Sequence, residues 1–318
     1  MELYPLTNAQ YHTVPHGSVI LFGCFDGVHP GHLSLLKEAR AIAQDRPVVV
    51  WVIDRRTSDT ITSLPEKCAA FASAGADLLL TENFEAIRSL TGEEFFRDCV
   101  MSLHPHAVVC GFNFRFGVRA SSSAEDMRTM AEKNGILCSV VPPLTIDGMT
   151  VSSTAIRNAV KAGDLPLAEK LLGRPLSYTS EILHGRQIGR TISHPTVNQR
   201  IPSGRLIPPY GVYSCTVTFD EDGVTVTKGG VCNLGSRPTV NDDTNDVTLE
   251  TYLFDFSGDL YGRTLTTSLC EMIRPERKFD SVDELRRQIE ADEDTARASL
   301  ARIRDARIEH TTRRAATE

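Results

Sequence analysis

Several features that define other classes of protein are missing from this 318-residue sequence. No stretch of it approaches the roughly 20 apolar residues that a membrane-spanning helix needs. Its first residues, MELYPLTNAQYHTV, lack the basic segment and apolar run of a secretory leader. The eight cysteines are scattered and include no CxxC pair, so no zinc or disulfide pattern is indicated. We therefore expect a protein of the reducing cytoplasm with no membrane partner.

An excess of positive charge is also missing. The chain has 34 Lys and Arg against 41 Asp and Glu, for a net charge of −7. Because nucleic-acid binding depends on positive charge, we expect no nucleic-acid partner. The hydrophobic share of 41% and the charged share of 24% are ordinary for a globular protein. At this length we expect two domains, each with its own core.

The chain does contain a strand, a glycine turn and a helix start in direct succession at Val19–Leu36, VILFGCFDGVHPGHLSLL. The first four apolar residues predict a buried strand, and the apolar spacing after the turn predicts a helix. The N–H groups at a helix N-terminus bind anions. Gly27 and Gly31 would let a phosphate approach the backbone, and His29 and His32 could donate to its oxygens. A metal site at the histidines is disfavoured, because no third ligand lies nearby at a familiar spacing.

The rest of the first half predicts a doubly wound α/β domain, because short apolar runs alternate with helical patterns. Val48–Ile53 is continuously apolar, as in a strand of a parallel sheet that is covered on both faces. Further strands are expected at Asp77–Thr81, Ala107–Gly111 and Ile136–Val141, and helices at Pro65–Ser73, Gly92–Leu103 and Ala124–Asn134. Ligands of such sheets bind beyond the carboxyl ends of the strands, where the turn after Phe22 lies.

Two more motifs in this half have both a structural and a functional interpretation. Residues 111–117, GFNFRFG, offer aromatic rings for stacking and polar groups beside them, although the phenylalanines could simply fill the core. Residues 151–157, VSSTAIR, predict a helix cap. The same hydroxyls, with Arg157 one turn later, could clamp a second phosphate. A short helix capped by Asp164 and ended by Gly173 marks the expected domain boundary.

The second half predicts a small antiparallel barrel, because its strands are closely spaced without intervening helices. Tyr210–Phe219 and Val224–Thr227 flank a hairpin turn, DEDG. Further strands are expected at Gly230–Leu234, Thr248–Phe254 and Thr264–Glu271. A helix with a capping box is expected to begin at Ser281, with Glu284 three residues on.

A glycine-bearing segment at residues 185–191, GRQIGRT, precedes HPTVN at residues 194–198. Its glycines would let a flap fold over phosphates. The Thr196 hydroxyl and the Asn198 amide oxygen are hard ligands of the type that Mg²⁺ takes. The alternative interpretation is a loop stiffened by a proline.

Together these motifs resemble a known family. HxGH is similar to the signature of the nucleotidyltransferase superfamily. The longer GxFDGxHxGH, with SSTxIR, resembles the adenylyltransferase module of the bacterial bifunctional riboflavin kinase/FMN adenylyltransferase (FAD synthetase) family. The flap and the Pro-Thr-x-Asn core resemble that family's riboflavin kinase signature. The resemblance extends roughly from Val19 to Arg297.

The resemblance implies that residues 1–173 adenylylate FMN to FAD, and that residues 174–318 phosphorylate riboflavin to FMN. ATP would be the co-substrate of both steps and Mg²⁺ the metal, held by Thr196 and Asn198. Catalytic roles would belong to His29, His32, Arg157 and Glu250, of which Glu250 would be the base for the ribityl hydroxyl. Contacts to ATP or its phosphates would come from Gly23, Phe25, Gly27, Gly31, Ser152, Ser153, Thr154, Gly185, Gly189 and Arg190. Flavin contacts would come from Asn113, Phe114, Arg115 and Arg274.

The sequence departs from the family pattern at two places. The loop after the second predicted strand, residues 54–59, DRRTSD, lacks the family's His-Pro, and we interpret it as shortened. Ser193 and His194 replace the usual Gly-Phe beside the kinase flap. Three alternatives follow: a riboflavin kinase whose first domain is degenerate, a non-catalytic flavin- or nucleotide-binding regulator, or another HxGH transferase. We expect a monomer or a weak homo-oligomer.

Overall fold

The computed structural model describes residues 5–6, 13–55, 58–183, 196–237, 246–258 and 260–315. The chain divides into two compact units. The first contains Met1–Arg157 and Leu171–Gly173, and the second contains Asn158–Lys170 and Arg174–Glu318. Within the described ranges, no helix is long and apolar enough to span a membrane.

The first unit is built on a six-stranded parallel sheet with the strand order β1-β4-β3-β2-β5-β8. Two short antiparallel pairs, β6 with β7 and β9 with β10, accompany it. The strands are β1 (Pro5–Leu6), β2 (Val19–Gly23), β3 (Val48–Asp54), β4 (Leu78–Asn83), β5 (Ala107–Gly111), β6 (Arg115–Phe116), β7 (Ser122–Ser123), β8 (Leu137–Val141), β9 (Thr145–Ile146) and β10 (Met149–Thr150). The expected doubly wound sheet is confirmed.

Helices lie between these strands: α1 (Pro30–Ala43), α2 (Leu64–Ser73), α3 (Phe84–Ile87), α4 (Gly92–Phe95) and α5 (Ala124–Lys133). Two more helices, α6 (Ser153–Lys161) and α7 (Leu165–Leu172), follow β10, and residues 158–161 and 165–170 of these helices belong to the second compact unit. The single helix expected at Gly92–Leu103 is wrong in detail. After α4 the chain widens into a π turn at Phe96–Val100 and then tightens into a 3₁₀ turn at Met101–Leu103.

The central strands are buried on both faces, which explains the uninterrupted apolar run of β3. Ile20, Phe22 and Trp51 pack with Phe95 on one face of the sheet. Val19, Leu21, Val48, Val50 and Val52 pack on the other, against the apolar side chains of α1 and α2. Each strand therefore supplies alternate residues to two cores.

The second unit is a closed six-stranded antiparallel barrel with the order β11-β12-β15-β14-β13-β16. Its strands are β11 (Leu176–Leu183), β12 (Thr196–Arg200), β13 (Gly211–Glu221), β14 (Val224–Arg237), β15 (Asp246–Leu253) and β16 (Thr264–Pro275). The predicted barrel is confirmed, although the sequence pattern did not reveal β11 or β12.

One long strand, β14, replaces the two strands expected at Val224–Thr227 and Gly230–Leu234. Gly229 and Gly230, where the break was expected, lie inside this strand and are required there by packing. A Cβ atom on Gly229 would lie 3.0 Å from Leu300 Cδ1, and one on Gly230 would lie 2.7 Å from the carbonyl oxygen of Tyr252. Glycine therefore permits close approach of a helix and a neighbouring strand here.

The C-terminal helix, α8 (Val282–Ala315), starts where the sequence predicts. The Glu284 N–H donates to Ser281 Oγ at 3.2 Å, and the Glu284 carboxylate accepts from the Asp280 N–H at 3.3 Å. Further along, Ala296 and Leu300 pack on Val231 and on other apolar side chains of the barrel wall. This contact fixes the helix along one side of the barrel.

Candidate active sites

The turn after β2 has an unusual backbone. Phe25 and Val28 adopt left-handed conformations, with φ of 49° and 40°, which are rare for a bulky and a β-branched residue. Gly27 has a φ of +93°, in the positive-φ part of backbone conformational space that favours glycine. His29 then takes the N-cap position of α1 in an extended conformation, and Pro30 follows in the first turn. Such strained turns concentrate at functional sites.

The two histidines of the HxGH motif are stacked. The ring centroids of His29 and His32 lie 3.6 Å apart with an interplanar angle of 20°, and the Phe25 ring meets His32 edge-on at 5.3 Å. A Cβ atom on Gly31 would lie only 3.1 Å from His29 Nδ1. Gly31 therefore makes room for the His29 ring, which is a more specific role than general backbone access.

A residue that the sequence analysis passed over, Asp26, joins the turn to two distant segments. Its buried carboxylate accepts the Ile61 N–H at 3.0 and 3.1 Å and the Thr62 N–H at 3.1 Å. It also forms an ion pair with Arg157. The Gly27 N–H donates to Thr62 Oγ1 at 2.9 Å. The FDG triplet within the family motif was the available signal for this residue.

The predicted cap at the start of α6 is confirmed. Ser152 Oγ accepts the Ala155 N–H at 3.2 Å. Ser153 Oγ donates to the Asp26 carbonyl oxygen at 2.7 Å, which ties the cap to the turn after β2. Arg157, one turn later, donates through Nε to the Asp59 carbonyl oxygen at 3.0 Å in addition to its pairing with Asp26.

These elements surround a cavity of about 340 Å³ at the carboxyl ends of the strands. It brings together most of the residues that the sequence singled out in this half: Gly23, Phe25, His29, Gly31, His32, Asn113, Phe114, Arg115, Ser152, Ser153 and Thr154. It is also lined by Cys24, Asp26, Arg55 and Phe112, to which the sequence analysis gave no individual role. Gly27 and Arg157 lie outside this lining, and both contribute to the hydrogen bonds around Asp26 and Thr62.

The aromatic residues of the 111–117 loop divide into two groups. Phe114 and Phe116 are buried in the core, with ring centroids 5.7 Å apart, so the core-filling interpretation applies to most of their surface. Phe112 lines the same cavity and is 47% exposed. Arg55, which also lines the cavity, lies over a different ring, with its guanidinium 4.2 Å from the centre of the Phe84 ring. Phe112 therefore has the accessible ring face in this loop.

Cys24 lies in an environment that disfavours its thiolate form. Burial raises its pKa, and the nearby Arg55 and Lys67 oppose that rise only in part. Lys67 is itself buried and donates through Nζ to the Cys24 carbonyl oxygen at 3.0 Å. Lys67 thus holds the turn after β2 from the α2 side, a contact that the sequence did not indicate.

In the barrel, Glu250 lies in a row of polar residues that crosses three strands. Asn198 on β12 and Asn233 on β14 are its direct partners in the two ladders, so the three side chains share one face of the sheet. Thr196, two residues before Asn198, donates through Oγ1 to Glu250 Oε1 at 3.1 Å. The structure therefore brings Thr196, Asn198 and Glu250 together. The flap residues Gly185, Gly189, Arg190, Ser193 and His194 lie outside the described residues.

Arg274, which the resemblance places near flavin, is engaged in a different contact. Its guanidinium pairs with the Asp292 carboxylate of α8, with Nε 3.0 Å from both oxygens and Nη2 2.7 Å from Oδ2. Gln288 Nε2 also donates to this carboxylate at 2.6 Å. Arg274 therefore ties β16 to the C-terminal helix.

The chain is similar to proteins that combine both activities. Residues 172–300 match the riboflavin kinase family model, and residues 11–155 match the FAD synthetase family model. The bifunctional riboflavin kinase/FMN adenylyltransferase of Bacillus subtilis (strain 168) is 32% identical over 305 residues, which cover 90% of this chain and 94% of that protein. The protein of the same name from Pseudomonas fluorescens is 35% identical over 297 residues, with 90% and 94% covered.

The chain is also similar to a solved structure. A crystal structure described as a macrolide-efflux protein from Streptococcus pneumoniae is 30% identical to this chain, with a TM-score of 0.79. The match covers 93% of this chain and 99% of the solved one. With an α/β unit, a closed barrel and relatives matched over nearly their whole length, this chain belongs to the bifunctional riboflavin kinase/FMN adenylyltransferase family.

Proposed function

We propose that this chain makes FAD from riboflavin in two ATP-dependent steps. The half at residues 174–318 phosphorylates riboflavin to FMN, and the half at residues 1–173 adenylylates FMN to FAD with release of pyrophosphate. The observation that supports the proposal is that each half groups the polar residues of its own motifs. The first half does so in a cavity lined by stacked histidines and a helix N-terminus, and the second does so in a strand row centred on Glu250.

In the adenylylation step, the FMN phosphate attacks the α-phosphorus of ATP and pyrophosphate leaves in line. His29 and His32 donate hydrogen bonds to the phosphate oxygens as negative charge develops on them. Ser152, Ser153 and Thr154, at the start of α6, hold the outer phosphates. No enzyme-bound covalent intermediate is needed, because positioning and charge neutralisation are sufficient for such a displacement.

The flavin part of FMN is assigned to the loop that follows β5. Asn113 and Arg115 line the cavity with polar groups, and Phe114 contributes the edge of a core residue. The exposed ring of Phe112 is the better surface for stacking an isoalloxazine.

In the kinase step, Glu250 accepts the proton of the ribityl hydroxyl as that hydroxyl attacks the γ-phosphorus of ATP and ADP leaves. Thr196 orients the carboxylate through its 3.1 Å hydrogen bond. Within the described residues, no cluster of three or more His, Cys, Asp or Glu side chains fits a metal. The Thr196 hydroxyl and Asn198 amide supply hard oxygen atoms beside Glu250 instead, a donor set that suits Mg²⁺ with nucleotide phosphates. Magnesium held there would neutralise phosphate charge.

The function is tested by supplying the full chain with riboflavin, ATP and Mg²⁺ and separating the flavins by chromatography over time. We expect FMN to appear first and FAD to follow, with one pyrophosphate per FAD. Accumulation of FMN without FAD would support the kinase-only alternative, which rests on the loop at residues 54–59. Absence of both products would support a non-catalytic regulator.

A single substitution tests whether FAD formation, the second step, takes place in the first unit. His32→Asn should still form FMN and lose FAD formation. His104→Asn is the matched control, because His104 is an exposed histidine of the same unit that does not line the cavity. Equal rates of FAD formation in both variants would remove His32 from the proposed site.

A further inference from the structure

We propose that Asp26 is a positioning residue for adenylyl transfer, and that it acts by holding Arg157 and the segment 59–62 against the turn after β2. The inference rests on the proposed function of the first unit. Asp26 is 8% exposed, and none of the roles implied by the family resemblance uses its side chain.

Three separate segments meet at this residue. The Ile61 and Thr62 N–H groups donate to its carboxylate at 3.0 to 3.1 Å. Arg157 forms an ion pair with the same carboxylate, and Ser153 Oγ donates to the Asp26 carbonyl oxygen at 2.7 Å. One residue therefore fixes the turn after β2, the segment before α2 and the start of α6 relative to each other.

Two further bonds close the arrangement without involving the Asp26 side chain. The Gly27 N–H donates to Thr62 Oγ1 at 2.9 Å, and Arg157 Nε donates to the Asp59 carbonyl oxygen at 3.0 Å. Arg157 is thus held at two points on neighbouring segments. Its side chain has a defined direction before any ligand arrives.

Among the side chains of this size, only a carboxylate can accept all the hydrogen bonds that are directed at the Asp26 position. The backbone N–H groups and the guanidinium are all donors, and an ionised carboxylate is an acceptor at both oxygens. An asparagine would offer one oxygen and turn its NH₂ group toward another donor. It would also leave the Arg157 charge without its partner, and charge-assisted bonds are the stronger ones.

The bonds to Asp26 affect the geometry of the cavity. Asp26 is part of the lining, with His29 and His32 three and six residues later. A shift in the turn would therefore move the histidines relative to Ser153 and Arg157. Misplacement of a catalytic group by about 1 Å can cost on the order of 100-fold in rate. Loss of the bonds to Asp26 should therefore lower the rate of the reaction more than it lowers the affinity for substrate.

The test uses the full chain and compares wild type, Asp26→Asn, Arg157→Lys and the double variant. For each we measure kcat and KM for ATP in the conversion of FMN to FAD. Riboflavin phosphorylation by the same preparations reports whether the second unit is intact, and circular dichroism reports folding. Arg88→Lys is the control, since Arg88 forms an exposed ion pair with Glu85 in the same unit.

We expect Asp26→Asn to lower kcat by roughly 10- to 100-fold, with KM for ATP changed less than about threefold and kinase activity retained. If Asp26 acts through Arg157, the kcat of the double variant should be no lower than that of the more impaired single variant. Should Asp26→Asn fail to fold, Arg157→Lys is measured instead, because lysine keeps the positive charge but cannot bond both Asp26 and the Asp59 carbonyl oxygen. A kcat of Arg157→Lys within about twofold of wild type would then overturn the inference.

Two results would overturn the inference. One is a folded Asp26→Asn protein whose kcat stays within about twofold of wild type. The other is a double variant whose loss is the product of the two single losses, which would mean that the residues act independently. Failure of the wild-type chain to form FAD would instead reject the proposed function, so the two failures are distinguishable.

Discussion

Arg274 on the last barrel strand and Asp292 on the C-terminal helix form a paired, largely buried contact, with side-chain exposures of 18% and 5%. The pair joins β16 to α8 through three nitrogen–oxygen contacts of 2.7 to 3.0 Å. It gives Arg274 a role in the architecture that its position in a family motif did not indicate.

Replacing Arg274 by Met should destabilise the second unit by about 3 kcal/mol, because it leaves a buried carboxylate without its cation. Scanning calorimetry would show the change as a lower unfolding temperature for one transition. Arg304→Met is the control, since Arg304 and Asp305 are both exposed. Asp292→Asn should destabilise the same transition. An unchanged transition in both variants, with a raised KM for riboflavin in Arg274→Met alone, would mean that Arg274 serves the ligand only.

Replacing Glu250 by Gln should lower riboflavin phosphorylation by at least about 100-fold, because an amide cannot accept the proton of the attacking hydroxyl. Conversion of FMN to FAD by the same protein should be unaffected. Glu181→Gln is the matched control, because Glu181 is an exposed glutamate on another barrel strand. Production of FMN at the wild-type rate by Glu250→Gln would show that Glu250 is not the base.

Replacing Gly31 by Ala should lower FAD formation by roughly tenfold, because the new Cβ would lie 3.1 Å from His29 Nδ1 and displace that ring. Alanine is the better helix former, so a loss of activity without a loss of stability would identify the steric cause. Lys37→Ala, at an exposed position of α1, provides the control. Full activity in Gly31→Ala would mean that the position of the His29 ring does not matter.

Cys24 should react slowly with iodoacetamide near neutral pH, because burial raises its pKa and the reactive thiolate forms only at higher pH. Cys138 is an internal reference, since its hydrogen bond with Cys110 lowers its pKa. Mass spectrometry of labelled peptides should therefore find Cys138 modified first. Cys24→Ala should retain FAD formation, and its loss would assign the thiol a part in the reaction.

The sequence predicted the two architectures well because their signals are local. The uninterrupted apolar run of β3 reflects burial on both faces of a sheet, and the closely spaced strands of the second half indicate a barrel. The capping groups at Ser152 and Ser281 also depend only on neighbours in the chain. Local pattern was misleading at Lys228 and Gly229, where two separate strands were expected and the structure has one continuous strand, β14.

The sequence by itself determined which chemical groups are present: the HxGH histidines, the hydroxyls that cap α6, and the Thr196, Asn198 and Glu250 set. Only the tertiary structure decided what the two motif arginines contact. Arg157 meets a carboxylate 131 residues earlier in the chain, and Arg274 meets one on a different element. The physical reason is that a buried carboxylate must find its donors wherever the fold brings them. Such pairs have no fixed spacing in sequence, whereas strands, turns and caps do.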